Sequence, residues 1–321
     1  ATVSDINAAL AVGGVITGTV TDANGTVRGV RVTAFGSDGV IGSATTNASG
    51  KYRIRALAAG TYTVEFIPPK ADNDALQYWN GANTQATAAP IQVDGNTSAG
   101  IDATLSTGSS ITGRILAPGT PNTGVADAEI NIYPAAGGQN IASTFTNANG
   151  VYHVPGLPAG SYSVGIVPPY SASLAPEWWG GTFIQSGAKT LTLGTGQALT
   201  HISQRLIVGS VISGTIYAGD SSTPEPYAEI QIYASDQLVG SLVAPPLEAG
   251  TDASGNYTLP NLGPGKYTLF IGSEDQGFVS QWWNGKRTQA KATTLTVHKN
   301  VNIAGLDVTL SPAVISPGTP T

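Results

Sequence analysis

The 321-residue chain has no cysteine and no methionine, and only 11% of its residues are charged. Without cysteine, neither a disulfide staple nor a thiolate nucleophile is available. Position 1 is not methionine, which fits an exported protein whose signal peptide has been removed. No apolar run reaches the length of about 18 residues that a membrane-spanning helix needs, so no membrane insertion is expected. The net charge is −6 and the isoelectric point is near 4.9, with no basic stripe, which argues against nucleic acid as a partner. No stretch keeps a helical apolar period over three turns. There is no G-x-S-x-G elbow, no phosphate-cradling glycine loop and no paired-histidine motif. The three histidines, His153, His201 and His298, occupy non-equivalent places. No cofactor, no metal and no catalytic residue is therefore expected.

Glycine (41), proline (20) and abundant Thr, Val and Ala suit short strands joined by tight turns. One stretch recurs three times: GKYRIRALAAGTYTVEFIPP at 50–69, GVYHVPGLPAGSYSVGIVPP at 150–169 and GNYTLPNLGPGKYTLFIGSE at 255–274. Its tyrosine pairs, Tyr52 and Tyr62, Tyr152 and Tyr162, and Tyr257 and Tyr267, all stand ten apart. A strand opening on Tyr, a Leu/Pro/Ala-Gly turn and an alternating return strand make a β-hairpin. The copies lie 100 and 105 residues apart, one domain per copy rather than a solenoid unit.

Around each hairpin the turn signals predict seven strands, the count of a two-sheet sandwich. The expected division is an N-terminal orphan strand at 1–12, sandwiches at 13–107, 108–208 and 209–310, and a Pro/Thr tail at 311–321. We refer to the three sandwich segments as the first, second and third repeats. The expected fold is all-β: three tandem seven-stranded prealbumin-like (Ig-like) sandwiches. Linkers of five residues predict that they form a rod. The interior should include Ile16, Val32, Tyr52, Leu57, Tyr62 and Val64.

The pattern ITGTV…DANGT…GVRVTAF…TNASGKYRIRALAAGTYTVEF resembles the carboxypeptidase regulatory-like domain, a family close to Cna protein B-type and prealbumin-like sandwiches. The resemblance extends over all three repeats. It implies stalks, spacers, adhesin modules or appendages of secreted enzymes. Cna B-type domains with an internal isopeptide bond need a lysine on the first strand. Asp102 and Asp307 sit on last strands, but the first strands offer Thr17 and Thr19, Arg114, or Ser213 and Thr215, so no such bond is expected.

Three further features bear on function. The turns Asp22-Ala23-Asn24-Gly25 and Asp252-Ala253-Ser254-Gly255 faintly resemble a calcium loop, but the distal bidentate acid is missing, and Asx-type turns are the preferred reading. All five tryptophans lie in the doublets Tyr78-Trp79, Trp178-Trp179 and Trp282-Trp283. These six residues are candidates for stacking on a sugar ring. The preferred reading is structural: Trp79, Trp179 and Trp283, the second position of each doublet, are predicted to be plugs, mostly buried within their own domains.

Finally, residues 6–16 (INAALAVGGVI) share the Ile, Leu, Gly, Ile spacing of the inter-repeat stretches 101–111 and 202–212. Val3, Ile6, Ala8, Leu10 and Val12 therefore form a last-strand pattern without a sandwich, a candidate donor strand. The expected function is a non-catalytic extracellular or cell-surface structural protein whose partner is itself, as a head-to-tail homopolymer. The alternative is a secreted carbohydrate-binding protein in contact with glycan or cell wall.

Overall fold

The computed structural model describes residues 12–94, 98–119, 121–220, 222–234, 247–273 and 277–313. The chain packs as two compact units. One comprises Ala1–Thr112, His153–Ser161 and Thr192–Thr200; the other comprises Gly113–Tyr152, Tyr162–Leu191 and His201–Thr321. The described residues are all-β, with six sheets that fall into three consecutive stretches of sequence.

The first repeat shows how the pattern becomes structure. Strand Gly14–Asp22 alternates buried Ile16 and Val20 with less buried residues, the period of a strand with one face in a core. It pairs antiparallel with Lys51–Leu57 and with the short Gly25–Thr26. The second sheet orders Gly39–Thr45, Arg31–Gly36, Gly60–Ile67 and Gln77–Tyr78, with Ile91–Val93 also on Gly60–Ile67. Between the sheets lie Ile16, Val32, Tyr52, Ile54, Leu57, Tyr62, Val64 and Phe66, all buried. Each such aliphatic or phenylalanine side chain contributes about 1.5–3 kcal/mol by leaving water.

The other repeats follow the same order. In the third, Ser210–Ala218 pairs with Asn256–Leu262, while Glu229–Ala234 lies between Leu247–Gly250 and Gly265–Gly272. Its interior is built from Ile212, Ile216, Ile230, Ile232, Tyr257, Leu259, Leu262 and Leu269. In the second, Ser109–Leu116 lies in one sheet and Glu129–Pro134 pairs with Gly160–Val167 in the other.

The last strand departs from expectation. The sequence GIDATL at 100–105 reads as one continuous last strand, but the first repeat has two short pieces, Ser98–Gly100 and Ala103–Thr104, both parallel to Gly14–Asp22. Side chains interrupt the ladder between them. Asp102 Oδ1 accepts the Thr19 N–H at 2.7 Å, and the Ile101 carbonyl accepts the Tyr52 hydroxyl at 2.7 Å. The chain can come this close because residue 18 is glycine: a Cβ there would stand 1.9 Å from Ile101 O. Gly113 against Ile202 and Gly214 against Leu306 repeat the contact. In the third repeat the last strand, Val308–Pro312, reaches two residues into the expected tail.

Candidate functional site

The residues that distinguish the repeats in sequence are mostly engaged in holding them together. The first tyrosine of each pair ties the hairpin to the last strand: Tyr52 to Ile101 O, Tyr152 to Ile202 O and Tyr257 to Leu306 O, at 2.6–2.9 Å. The second closes its own turn, with Tyr62 donating to Ala58 O and Tyr267 to Gly263 O. Burial pushes the Tyr52, Tyr152 and Tyr257 phenols up, and that of Tyr162 up to about 12, so they remain donors at physiological pH. Asp307 accepts the Thr215 N–H as Asp102 accepts that of Thr19, and Ser203 Oγ does the same for Arg114.

The calcium-like turns are Asx turns. Asp22 Oδ1 accepts the Asn24 N–H, and Asp252 Oδ1 accepts those of Ser254 and Asn256. Those two N–H groups hold the Asp252 carboxyl below its usual range. Among the described residues, no three His, Asp or Glu side chains come together as a metal cluster.

The outer face of the second sheet carries an aromatic pair that sequence reasoning half missed. Cross-strand register places Phe35 opposite Thr63, Tyr133 opposite Ser163 and Tyr233 opposite Thr268. Beside them Tyr78, Trp178 and Trp282 stand opposite Glu65, Gly165 and Phe270. Each repeat treats the pair differently. Tyr78 is half-buried and donates to Glu65 Oε1 at 2.8 Å. Trp178 lies beside the bare Gly165 with Tyr133 at 5.1 Å, and is fully buried. Trp282 meets Tyr233 at 5.2 Å and Phe270 at 5.4 Å, and all three rings remain half-exposed.

Around the third-repeat rings lie Gln231, which accepts from Tyr233 and donates to Glu229, and Glu248. The Gln85 and Gln185 amides donate to the hydroxyls of Thr63 and Ser163. The equivalent Thr268 Oγ1 is buried without a hydrogen-bond partner.

This geometry corrects the reading of the doublets. Trp178, a first-position candidate for sugar stacking, is 0% exposed and unreachable. The second-position residues Trp79, Trp179 and Trp283 are partly buried, each less so than Trp178. Trp79 and Trp283 pack against the cores of their repeats, and Lys189 Nζ covers the Trp179 ring at 5.6 Å. The hidden determinant is the residue across the strand from the first position, Gly165 or Phe270, twelve or thirteen positions earlier in sequence. The visible sign was the alternating IYP, IYA and AFG endings of the preceding strand. Of the donor-strand candidates, Val3, Ile6, Ala8 and Leu10 lie outside the described residues, and Val12 is 72% exposed.

A second constellation marks the start of each repeat. Gly13, Gly108 and Gly209 back onto residues of the hairpin turn: a Cβ would lie 2.6 Å from Ala56 Cα, 2.6 Å from Gly156 Cα and 2.4 Å from Asn261 Cα. The three turn residues share a left-handed backbone, with φ of 59°, 71° and 63°. The Gly108 N–H donates to Asn73 O at 2.7 Å, and Asn73 Oδ1 accepts from the Gly156 N–H. The Gly209 N–H donates to Ser173 O at 3.0 Å, and Asn261 Nδ2 donates to Tyr170 O. The loop after each doublet completes the contact. Asn83 Nδ2 donates to Ala159 O at 3.0 Å, and the Phe183 ring fills the space beside Gly263.

No curated protein matches the chain. Among solved structures, it is similar to a streptococcal ancillary pilin at 13% identity, covering 94% of this chain and 99% of that one, with a TM-score of 0.33. It is similar to BcpA, the major pilin subunit of Bacillus cereus, at 11% identity, covering 94% and 99%, with a TM-score of 0.25. It is also similar to the Bacillus anthracis TIE protein at 17% identity and a TM-score of 0.27, covering 93% of this chain; it spans about half, 51%, of that protein's length. Residues 15–106 match the carboxypeptidase regulatory-like domain family.

Proposed function

We propose that the chain is a non-catalytic structural protein of the cell surface, a subunit of a filament, stalk or adhesin. It is built from sandwiches at 13–107, 108–208 and 209–310. One observation carries this reading: the two junctions, at Gly108 and Gly209, are made alike. Each seats a glycine on a left-handed turn residue and donates its N–H to a backbone carbonyl in the loop of the preceding repeat. A flexible linker between independent binding modules needs no such repeated contact. Tyr52, Tyr62, Tyr152, Tyr257 and Tyr267, with Asp22, Asp102, Asp252 and Asp307, are engaged in structural bonds, which supports a scaffold over an enzyme.

Residues 2–12 are the proposed donor strand, with Val3, Ile6, Ala8, Leu10 and Val12 as its apolar positions, pairing with a sheet edge of a neighbouring subunit. The first strands of the three repeats already pair with last strands of their own, so the donor takes a different edge or displaces one of these. The test is electron microscopy together with light scattering of the chain with and without residues 1–12. Growth of particles with concentration, lost on deletion, is the expected outcome. A wild-type chain that stays monomeric removes the filament.

Glycan contact is the second reading, favoured by the half-exposed Tyr233, Phe270 and Trp282 rings with carboxylate and amide groups beside them. The unpartnered Thr268 hydroxyl lies next to the same rings. Titration with soluble polysaccharides should quench tryptophan emission in the wild type and not in Trp282→Ala. No quenching in either removes this reading.

A further inference from the structure

The hairpin turn of the first repeat is built like the other two, yet it is bare. Ala56, Ala58 and Ala59 are all exposed, whereas none of their counterparts Gly156, Pro158 and Ala159 is, nor any of Asn261, Gly263 and Pro264. In the second and third repeats the preceding repeat covers the turn, through Asn73 and Asn83 and through Tyr170 and Phe183. The first-repeat turn nonetheless has the same shape. Gly13 backs onto it, and Ala56 holds a left-handed φ of 59° although it has a Cβ, at a cost of about 1 kcal/mol.

The complementary half stands at the end of the third repeat. Gly277 O accepts the Ala313 N–H at 2.7 Å, as Asn73 O accepts that of Gly108. The loop after the doublet is closed by Trp282 N–H to Lys286 O, as Tyr78 N–H to Ala82 O closes the first. Arg287 then occupies the position of Asn83 and Phe183, and it is exposed.

We infer that the turn Ala56–Gly60 is a docking surface for the Lys286–Thr288 loop of a second copy of this chain, repeating between molecules the contact made twice within one. This rests on the self-associating reading above and gives it a site distinct from the donor strand. The Arg287 guanidinium supplies the donor to Ala59 O that Asn83 supplies to Ala159 O, and the small alanines admit the loop closely. Such a contact is heterologous, so it propagates unless its rotation closes a ring. It is small. Within the chain a short linker supplies a millimolar-range effective concentration that is missing between copies, so alone the contact is weak. Arg55, standing where Pro155 and Pro260 stand, adds a like charge that salt screens.

The absence of native cysteine makes the test direct. The full chain carrying Ala59→Cys and Arg287→Cys, both at exposed sites, is mildly oxidised at high salt and run without reductant. A control pairs Ala59→Cys with Phe145→Cys, an exposed site on the second repeat. The expected result is a ladder of multimers from the first variant and at most dimers from either single cysteine. No ladder, or an equal ladder from the control, overturns the docking surface. If wild-type particles still grow with concentration, the filament survives that result and only this contact is lost. If the wild type is monomeric as well, both fall.

Discussion

The outer faces of the second and third repeats present the same two aromatic positions and treat them in opposite ways. Opposite Gly165, Trp178 disappears into the fold beside Tyr133 and leaves its Nε1 without a hydrogen-bond partner. Opposite Phe270, Trp282 meets a ring where Trp178 meets a bare backbone, and a half-exposed cluster of three rings results. One cross-strand residue thus decides whether an aromatic serves stability or is offered to the surroundings. Glycine in a strand is ordinarily a weakness, and a neighbouring aromatic compensates by covering it. The burial of Trp178 also outweighs the cost of its orphaned indole N–H, about 1–3 kcal/mol.

Breaking this comparison should show first in Trp178→Ala, with a loss of about 3–5 kcal/mol in urea unfolding followed by circular dichroism. Trp282→Ala should lose less than half of that, since it buries less. Equal losses would mean that exposure in the fold does not govern the energetics of these faces. Gly165→Phe, which transplants the third-repeat residue, should displace Trp178. We expect about 1–3 kcal/mol of destabilisation and a red shift of the tryptophan emission.

A second contrast lies at the junctions. Asp74 is buried where Leu174 and Phe278 stand in the other repeats. Its Oδ2 is unpartnered, and burial, with Asp22 and Asp72 nearby, raises its carboxyl above the usual range. Asp74→Leu should stabilise the chain by about 1–2 kcal/mol, read as a higher Tm in calorimetry.

The smallest effect is expected at Glu177, which stands where Gln77 and Gln281 stand. Burial raises its carboxyl, against the opposing pull of the Ile207 N–H, Gln204 and Lys299. A folded-state value above the unfolded one means that the native state keeps this proton to higher pH. Its contribution is therefore most favourable below the unfolded carboxylate range and declines as pH rises through the folded value. Glu177→Gln should flatten the fall in Tm as pH rises above the unfolded carboxylate range, near about pH 4. It should gain up to about 1 kcal/mol at the neutral end. An unchanged slope would place the pH dependence elsewhere.

The hairpins, their tyrosine pairs and the interior from Ile16 to Val64 were legible because local periodicity and turn chemistry specify them. The fate of the doublets was not. It depends on register between strands separated by a loop, and nothing near Trp178 in sequence announces that Gly165 will lie opposite. The break in the last strand escaped for a similar reason: Asp102 reads as an ordinary strand residue until Gly18 brings its carboxylate to the Thr19 N–H. The left-handed Ala56 was equally invisible, since alanine seldom occupies the place that Gly156 and Asn261 fill more easily.

The direction in which the first and last strands run has a mechanical consequence. In each repeat these two strands pair in parallel, Val20 beside Ala103, Ile115 beside Gln204 and Ile216 beside Val308. Tension applied along the chain enters a repeat at the start of the first strand and leaves at the end of the last. Parallel partners pulled this way slide past one another, so their hydrogen bonds are loaded together in shear instead of opening one at a time. The Tyr52, Tyr152 and Tyr257 hydroxyls fasten the third member of that arrangement, the hairpin, to the strand under load. Resistance to pulling is set by the rate of unfolding under force rather than by equilibrium stability. Single-molecule stretching would therefore find each repeat giving way in one abrupt step, with the phenol ties holding until the terminal strands part.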